Sequence, residues 1–334
     1  MSLPRHPEIW GGGFNPARDL VIQLANTLVD FEPVLVLCNP GQPAVLKRHF
    51  DHRITLVELA VDEPWLRDSS PLFAERIGGA RQGRLVAVEF ALRRASRSPQ
   101  VARLAGYMDL PLRRFPLSIL DDDFSVDDAG AMLLSGGGLF ASSRIQPQRE
   151  RMEKLLETRF GITRPIWLPQ TLAQDRRQKL TNLVRFIEPS GILLASHANR
   201  SDESMSITLD AYDQLTNGML TDGLGKPYSV YQVHNPPPLR LSGRLLCCSY
   251  LNYYIANGVV CIPAFYKPRY DQRALELFKN LFPDYEIRQF QTLPLLAASG
   301  GLHCVTCQWP AGRTRQRRLL DGLEQLEHAA PAGE

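Results

Sequence analysis

The sequence predicts an α/β protein, and two observations carry that expectation. Short apolar runs bounded by turn residues recur along the chain, and amphipathic helical patterns fall between them. A third observation, that no low-complexity linker interrupts the 334 residues, makes residues 1–334 a single domain. The apolar runs are "PVLVLC" (33–38), "RITLVELA" (53–60), "RLVAVEF" (84–90), "AMLLS" (131–135), "GILLAS" (191–196) and "GVVCIP" (258–263). Each is too short for a helix and reads as a buried strand. Helices are expected over 17–30, 148–159, 209–217, 271–281 and 316–328. "GKPYSVYQVHNPPPLRLSGR" (225–244) is rich in proline and reads as an irregular surface loop.

Bulk properties narrow the function classes. A chain of this length buries roughly 75% of its unfolded surface, so a sizeable core is available. The formal charge of +3 is too small to signal a nucleic-acid or membrane-surface binder. The densest basic run, "RTRQRR" (313–318), reads as the solvated face of a C-terminal helical extension over 311–334. No apolar run approaches the ~20 residues that cross a bilayer. "MSLPRHPEIW" has no apolar core of signal-peptide length, so a cytoplasmic protein is expected. Six irregularly spaced cysteines do not form the pattern of a disulfide framework.

Several motifs are weak. "LHCVTCQW" (302–309) holds a C-x-x-C, but it reads as a strand, where positions three apart face opposite ways. No second C-x-x-C completes a zinc site. "WGGGF" (10–14) and "SGGGL" (135–139) lack the spacing of a phosphate loop and read as turns. "DEPWLRDSSP" (62–71) crowds an aromatic, an arginine and an aspartate just after a strand. Alone it reads as an Arg–Asp pair behind a buried tryptophan, or as a carboxylate placed to take a planar cation through a charge-assisted pair.

In chain order these stretches resemble the agmatine deiminase and bacterial (Porphyromonas-type) peptidyl-arginine deiminase family. "PWLRDSSP" (64–71) is similar to its W-x-R-D-x-G-P, and "LTNLVRF" (180–186) to the end of its G-H-x-D-N-L-A-R-F. "SYLNYYIANGVVCIP" (249–263) resembles S-Y-x-N-F-Y-I-x-N-G, and "SGGLHCVTCQWP" (299–310) resembles G-G-G-x-H-C-x-T-Q-Q-x-P. "FPDYEI" (282–287) lies where the family has F-P-x-R. The likeness covers roughly residues 20–310.

The resemblance implies the pentein fold, a pseudo-fivefold α/β propeller of ββαβ units around a central channel that holds the site. It also implies chemistry: a cysteine attacks a guanidinium carbon, carboxylates clamp the guanidinium, a histidine relays protons, and no metal or cofactor takes part. Carried over, Cys304 matches the nucleophile and Asp68 the guanidinium-binding aspartate. Trp65 and Arg67 match the residues beside it, Gly300 and Gly301 the turn before the nucleophile, and Asn182, Arg185 and Phe186 the frame of the histidine motif. The departures fall on the chemistry. Lys179 stands at the histidine position, Thr181 at its companion aspartate and Leu120 at the second carboxylate. Asp121 and Asp122 fall on two glycines, and Asp123 matches a variant ending in aspartate.

Two lost anions and one gained cation make the expected pocket about three charges more positive than the family pattern. Lys179, kept charged, is expected to lower the Cys304 pKa and to offer a contact to a carboxylate or oxyanion. His303 is expected to face away from Cys304, as neighbours on a strand do. Catalytic residues are therefore expected to be Cys304, Asp68 and Lys179. Substrate-binding residues are expected to be Trp65, Arg67, Asp123, Asn182, Arg185, Gly300 and Gly301.

Three functions fit. The first is a divergent cysteine-dependent hydrolase or transferase acting on C–N bonds of a neutral or carboxylate-bearing substrate. The second is a guanidine deiminase or amidinotransferase with rebuilt acid–base residues. The third is a non-catalytic pentein scaffold. The expected partner is a small-molecule or peptide-derived substrate, with no nucleic acid and no membrane, and relatives of this fold often pair as homodimers.

Overall fold

A computed structural model describes residues 1–10, 12–60, 64–76, 83–90, 99–117, 119–136, 145–187, 190–197, 202–218, 220–241 and 243–310. Helix α1 (Phe14–Leu28) leads into β1 (Leu35–Cys38), α2 (Pro43–Leu46) and β2 (Thr55–Glu58), with the two strands paired in parallel. The short helix α3 (Leu66–Ser69) then opens a run of similar units. The first holds β3 (Leu72–Glu75), β4 (Leu85–Phe90), α4 (Pro99–Tyr107) and β5 (Leu112–Phe115). The second holds β6 (Phe124–Val126), β7 (Ala131–Ser135), α5 (Ile145–Phe160) and β8 (Arg164–Leu168). The third holds β9 (Val184–Ile187), β10 (Gly191–Ser196), α6 (Glu203–Asn217) and β11 (Ser229–His234). A hairpin of β12 (Leu239–Leu241) and β13 (Arg244–Leu246) follows. The last unit holds β14 (Tyr254–Ala256), β15 (Val259–Ala264), α7 (Pro268–Leu281) and β16 (Glu286–Gln291), and the helix α8 (Leu293–Leu296) follows it.

In each of these four units the first two strands are antiparallel and the third runs parallel to the middle one. With the N-terminal β1–β2 pair they make five repeats, the pentein arrangement that the resemblance implied. The middle strands are mostly apolar because they are covered, although β4 carries the buried Glu89. Every residue of β7, β10 and β15 is buried. The expected strands fall on β1, β2 and these four middle strands. The helix expected over 316–328 and the basic run at 313–318 lie outside the described residues.

Two expectations are corrected. The stretch 225–244 contains β11 and β12, because Ser229–His234 pairs residue for residue with Gly191–Ser196. Pro236, Pro237 and Pro238 occupy the connector between those strands, where no ladder N–H is needed. The segment around Cys304 is a turn: Cys304 N–H donates to Gly301 O at 3.2 Å and Val305 N–H to the same oxygen at 3.3 Å. Among the described residues no helix is long and apolar enough to cross a membrane.

Candidate active site

The repeat explains how distant residues meet. Asp68 lies just before β3, Asp122 just before β6, Lys179 just before β9 and Asn252 just before β14. The segments leading into the first strand of each unit converge, and the turn after α8 brings Cys304 among them. Lys179 Nζ is 2.7 Å from Cys304 Sγ, Asn252 Nδ2 is 3.6 Å from it, and Asp122 Oδ2 is 4.0 Å away. The backbone N–H of Arg67 donates to Cys304 O at 3.1 Å, which ties α3 to the same turn.

Asp175 places the lysine. Its carboxylate accepts the backbone N–H groups of Arg177 and Lys179 at 3.0 Å each, and Asn182 Nδ2 at 2.7 Å. This Asx-type turn drives Gln178 to a φ of +55° and turns Lys179 inward. Ser299, just ahead of the glycines, is likewise left-handed at +62°. Two non-glycine residues in that region flank the site, each at a cost of order 1 kcal/mol or more.

Asp122 is the centre of the polar cluster. Its Oδ2 pairs with Lys179 Nζ at 2.6 Å, and its Oδ1 accepts Thr181 Oγ1 and His303 Nδ1 at 2.9 Å each. Burial would raise its pKa, but the Lys179 ammonium and His303 outweigh that and hold it well below the carboxylate range. An ionised carboxylate only accepts, so His303 carries its proton on Nδ1. Burial, with the Arg67 and Arg185 charges, holds the His303 pKa down to about 3, so the ring is neutral. Burial would also lower the Lys179 pKa, yet Asp122, Cys304 and Asp68 keep it above its ordinary value.

These contacts correct two expectations and qualify a third. His303 does not turn away, because the turn geometry lets it and Cys304 reach the same carboxylate. The pocket is also less positive than the charge count implied, since three of its cations have anionic partners. Lys179 pairs with Asp122, Arg177 with Asp68, and Arg67 with Asp121 at 2.9 Å. Lys179 does pull the Cys304 thiol downward, but burial is the larger effect and the thiol sits above its ordinary value.

The remaining expected residues are engaged internally. Trp65 is buried, 5.6 Å from the Trp10 ring. Arg67 also donates to His303 O at 3.3 Å. Asp123 accepts the Leu120 N–H at 2.9 Å and closes the turn into β6. Asn182 accepts Asn252 Nδ2 at 2.9 Å. Arg185 donates to Leu251 O and Tyr253 O, and its guanidinium lies 3.9 Å from the Tyr253 ring centre. Gly300 and Gly301 allow close approach. A Cβ at Gly300 would stand 1.9 Å from Trp65 Cζ3, and one at Gly301 would stand 2.3 Å from Asn252 Oδ1.

Sequence reasoning missed Asp175 and Arg177 altogether, and it gave Asn252 no part in the site. The one local signal is the aspartate followed at the second and fourth positions by basic residues, "DRRQK", which suits an Asx turn. A cavity of about 30 Å³, lined by Asp175, Arg176, Lys179, Asn182, Arg244, Asn252 and Gly300 among others, adjoins the cluster. That is room for about one water molecule. Among the described residues no group of three or more His, Cys, Asp or Glu is placed to hold a metal.

Comparison with known proteins agrees with this architecture. A Legionella pneumophila protein named "Putative agmatine deiminase" is 29% identical over 323 residues, covering 93% of this chain and 91% of its own. The solved agmatine deiminase of Enterococcus faecalis superposes with a TM-score of 0.82 at 21% identity, over 93% of this chain and 92% of its own. The C. jejuni agmatine deiminase gives 0.78 at 20% identity, over 94% and 92%. The family model of Porphyromonas-type peptidyl-arginine deiminase matches residues 1–310, and the chain belongs to that family.

Proposed function

We propose that this chain is a divergent enzyme of the family that uses Cys304 as a covalent nucleophile on a C–N bond of a neutral or carboxylate-bearing substrate. One observation carries the reading. The two carboxylates that act on the sulfur, Asp68 and Asp122, are each paired with a cation of the protein itself. A substrate guanidinium entering here meets Lys179 rather than an unpaired carboxylate. Two like charges about 4 Å apart repel by roughly 4 kcal/mol at an effective dielectric near 20. A neutral electrophile avoids that cost. Arg176 and Arg244, which line the small cavity beside Lys179, favour a carboxylate on the substrate.

The proton inventory supports a definite sequence. At rest Lys179 is charged, Asp122 ionised and Cys304 a thiol. On attack the S–C bond forms, the thiol proton passes to the nitrogen that will leave, and the Lys179 ammonium, held in place by the ionised Asp122, stabilises the negative charge that develops on the electrophile. The C–N bond then breaks and the amine departs with that proton. Water, or an acceptor amine for a transferase, then releases the acyl group from the sulfur. Cys304 is fully buried, so the turns carrying Lys179 and Gly300 must part before a substrate larger than water arrives.

The test is intact-mass screening of the protein against guanidines, amides and thioesters, with Cys304→Ala as control. A Cys304-dependent adduct from an amide or thioester is the expected result, with no ammonia from agmatine or arginine above the control. Robust turnover of agmatine would overturn the substrate class. A natively folded protein that forms no adduct with any of the panel would replace the enzyme reading with the non-catalytic one.

A further inference from the structure

We infer that Arg177 is a specificity-determining residue: its guanidinium fills the position between Asp68 and Trp65 and so excludes external guanidinium cations from the site beside Cys304. The inference rests on the function proposed above and names the device that enforces its substrate class.

Three observations converge. First, the guanidinium of Arg177 is ion-paired with Asp68 through Nη2 and Oδ2. Second, its central carbon stands 5.9 Å from the Trp65 ring centre. A carboxylate at the edge and an aromatic face alongside form the arrangement that suits a planar, delocalised cation. Third, the backbone places Arg177 there deliberately. Asp175 accepts its N–H at 3.0 Å, and the left-handed Gln178 turns the chain back toward Lys179. Trp65 in turn cannot withdraw, since Gly300 and Trp10 wall its ring.

The consequence is a competition. Arg177 is tethered, so its effective concentration at Asp68 is of order millimolar or higher, and a free guanidine must displace it at that disadvantage. Asp68 is close enough to act electrostatically on both Lys179 and the Cys304 thiol. Filling it from within therefore removes the nearest anchor a guanidinium could use to align with the sulfur, while leaving neutral groups unopposed.

The experiment measures methylguanidinium binding by calorimetry in a Cys304→Ala background, which removes covalent chemistry. Arg177→Ala is expected to bind methylguanidinium about tenfold or more tightly than the Arg177 parent, the scale of one charge-assisted contact. Adding Asp68→Asn is expected to cancel the gain. Circular dichroism checks the fold, and Arg177→Gln, which keeps the stem, is read in place of Arg177→Ala if the latter unfolds. A parent that binds as tightly as the variant, or a folded variant with no gain, would overturn the inference. Neither result depends on whether Cys304 forms an adduct, so the two proposals fail separately.

Discussion

Lys179 and Asp122 form a buried ion pair, 2.6 Å from Nζ to Oδ2, that also brackets the Cys304 sulfur. Both side chains are almost completely inaccessible, so each is held charged by the other. Breaking such a pair from one side strands a buried charge and costs about 3–5 kcal/mol. Lys179→Met and Asp122→Asn should each destabilise on that scale. Asn is chosen because it keeps an acceptor for Thr181 and His303. The double variant should cost clearly less than the sum of the singles, read from urea unfolding. Additive losses would mean that the two residues do not act as a pair.

His303 gives the fold a specific sensitivity to acid. Its pKa is depressed to about 3 in the folded chain, against about 6.5 when unfolded. Between those values the unfolded chain binds a proton that the folded chain refuses, so stability falls as pH is lowered through this window. The slope approaches about 1.4 kcal/mol per pH unit for this one group. Asp122, whose pKa is also depressed, adds a loss at still lower pH. His303→Gln should flatten the dependence of unfolding free energy between about pH 6 and pH 4. An unchanged slope would assign the acid loss to other groups.

How much of this was legible in the sequence depends on what each residue must satisfy. The middle strands β4, β7, β10 and β15 are largely covered, so their apolar runs announce them. Their neighbours β5 (LRRF), β9 (VRFI), β11 (SVYQVH) and β16 (EIRQFQ) are partly exposed and read as loop or nothing. Cys304, Asp68 and Lys179 could be named because the resemblance marks their positions, yet it cannot say what partners them. Arg177 and Asp175 meet the site through a turn stabilised by one side chain, which no periodicity reveals. Asp122 sat at an aligned glycine and read as a departure, although in three dimensions it supplies an anion beside the sulfur. Charge counted along an alignment therefore overstated the positive field, because the compensating carboxylate lies elsewhere in the sequence.

The resting state of the sulfur is open to chemical reading. Burial raises the Cys304 thiol above its ordinary value despite Lys179, and the side chain is fully covered. Burial raises the Cys247 and Cys307 thiols as well, so exposure decides the order. Timed iodoacetamide labelling of the native protein, followed by peptide mapping, should find the covered Cys304 modified after the half-buried Cys247 and Cys307 at neutral pH. Its rate should keep rising with pH beyond the point where a free cysteine is already half ionised, since the thiolate is the reacting species. Preferential labelling of Cys304 at neutral pH would show a persistent thiolate–ammonium pair instead, and with it a nucleophile activated before substrate arrives.

Gly300 and Trp65 fix the wall of the site. The glycine is required by space rather than by backbone angle, because an added methyl would fall 1.9 Å from Cζ3 and 2.2 Å from Cη2 of the ring. The ring has no room to retreat, with Trp10 5.6 Å away and both indoles buried. Gly300→Ala should therefore destabilise by about 1–3 kcal/mol or more through overpacking. It should also shift tryptophan fluorescence to the red as Trp65 is pushed toward water. Trimming the ring relieves the clash, so Gly300→Ala/Trp65→Phe should be more stable than Gly300→Ala alone. The matching change at Gly301 meets the amide end of Asn252, 2.3 Å away, which can rotate at the cost of its contacts with Asn182 and the sulfur. Gly301→Ala should accordingly lose less stability than Gly300→Ala while slowing any Cys304 adduct formation. A Gly300→Ala protein as stable as the parent would show that the Trp65 wall yields.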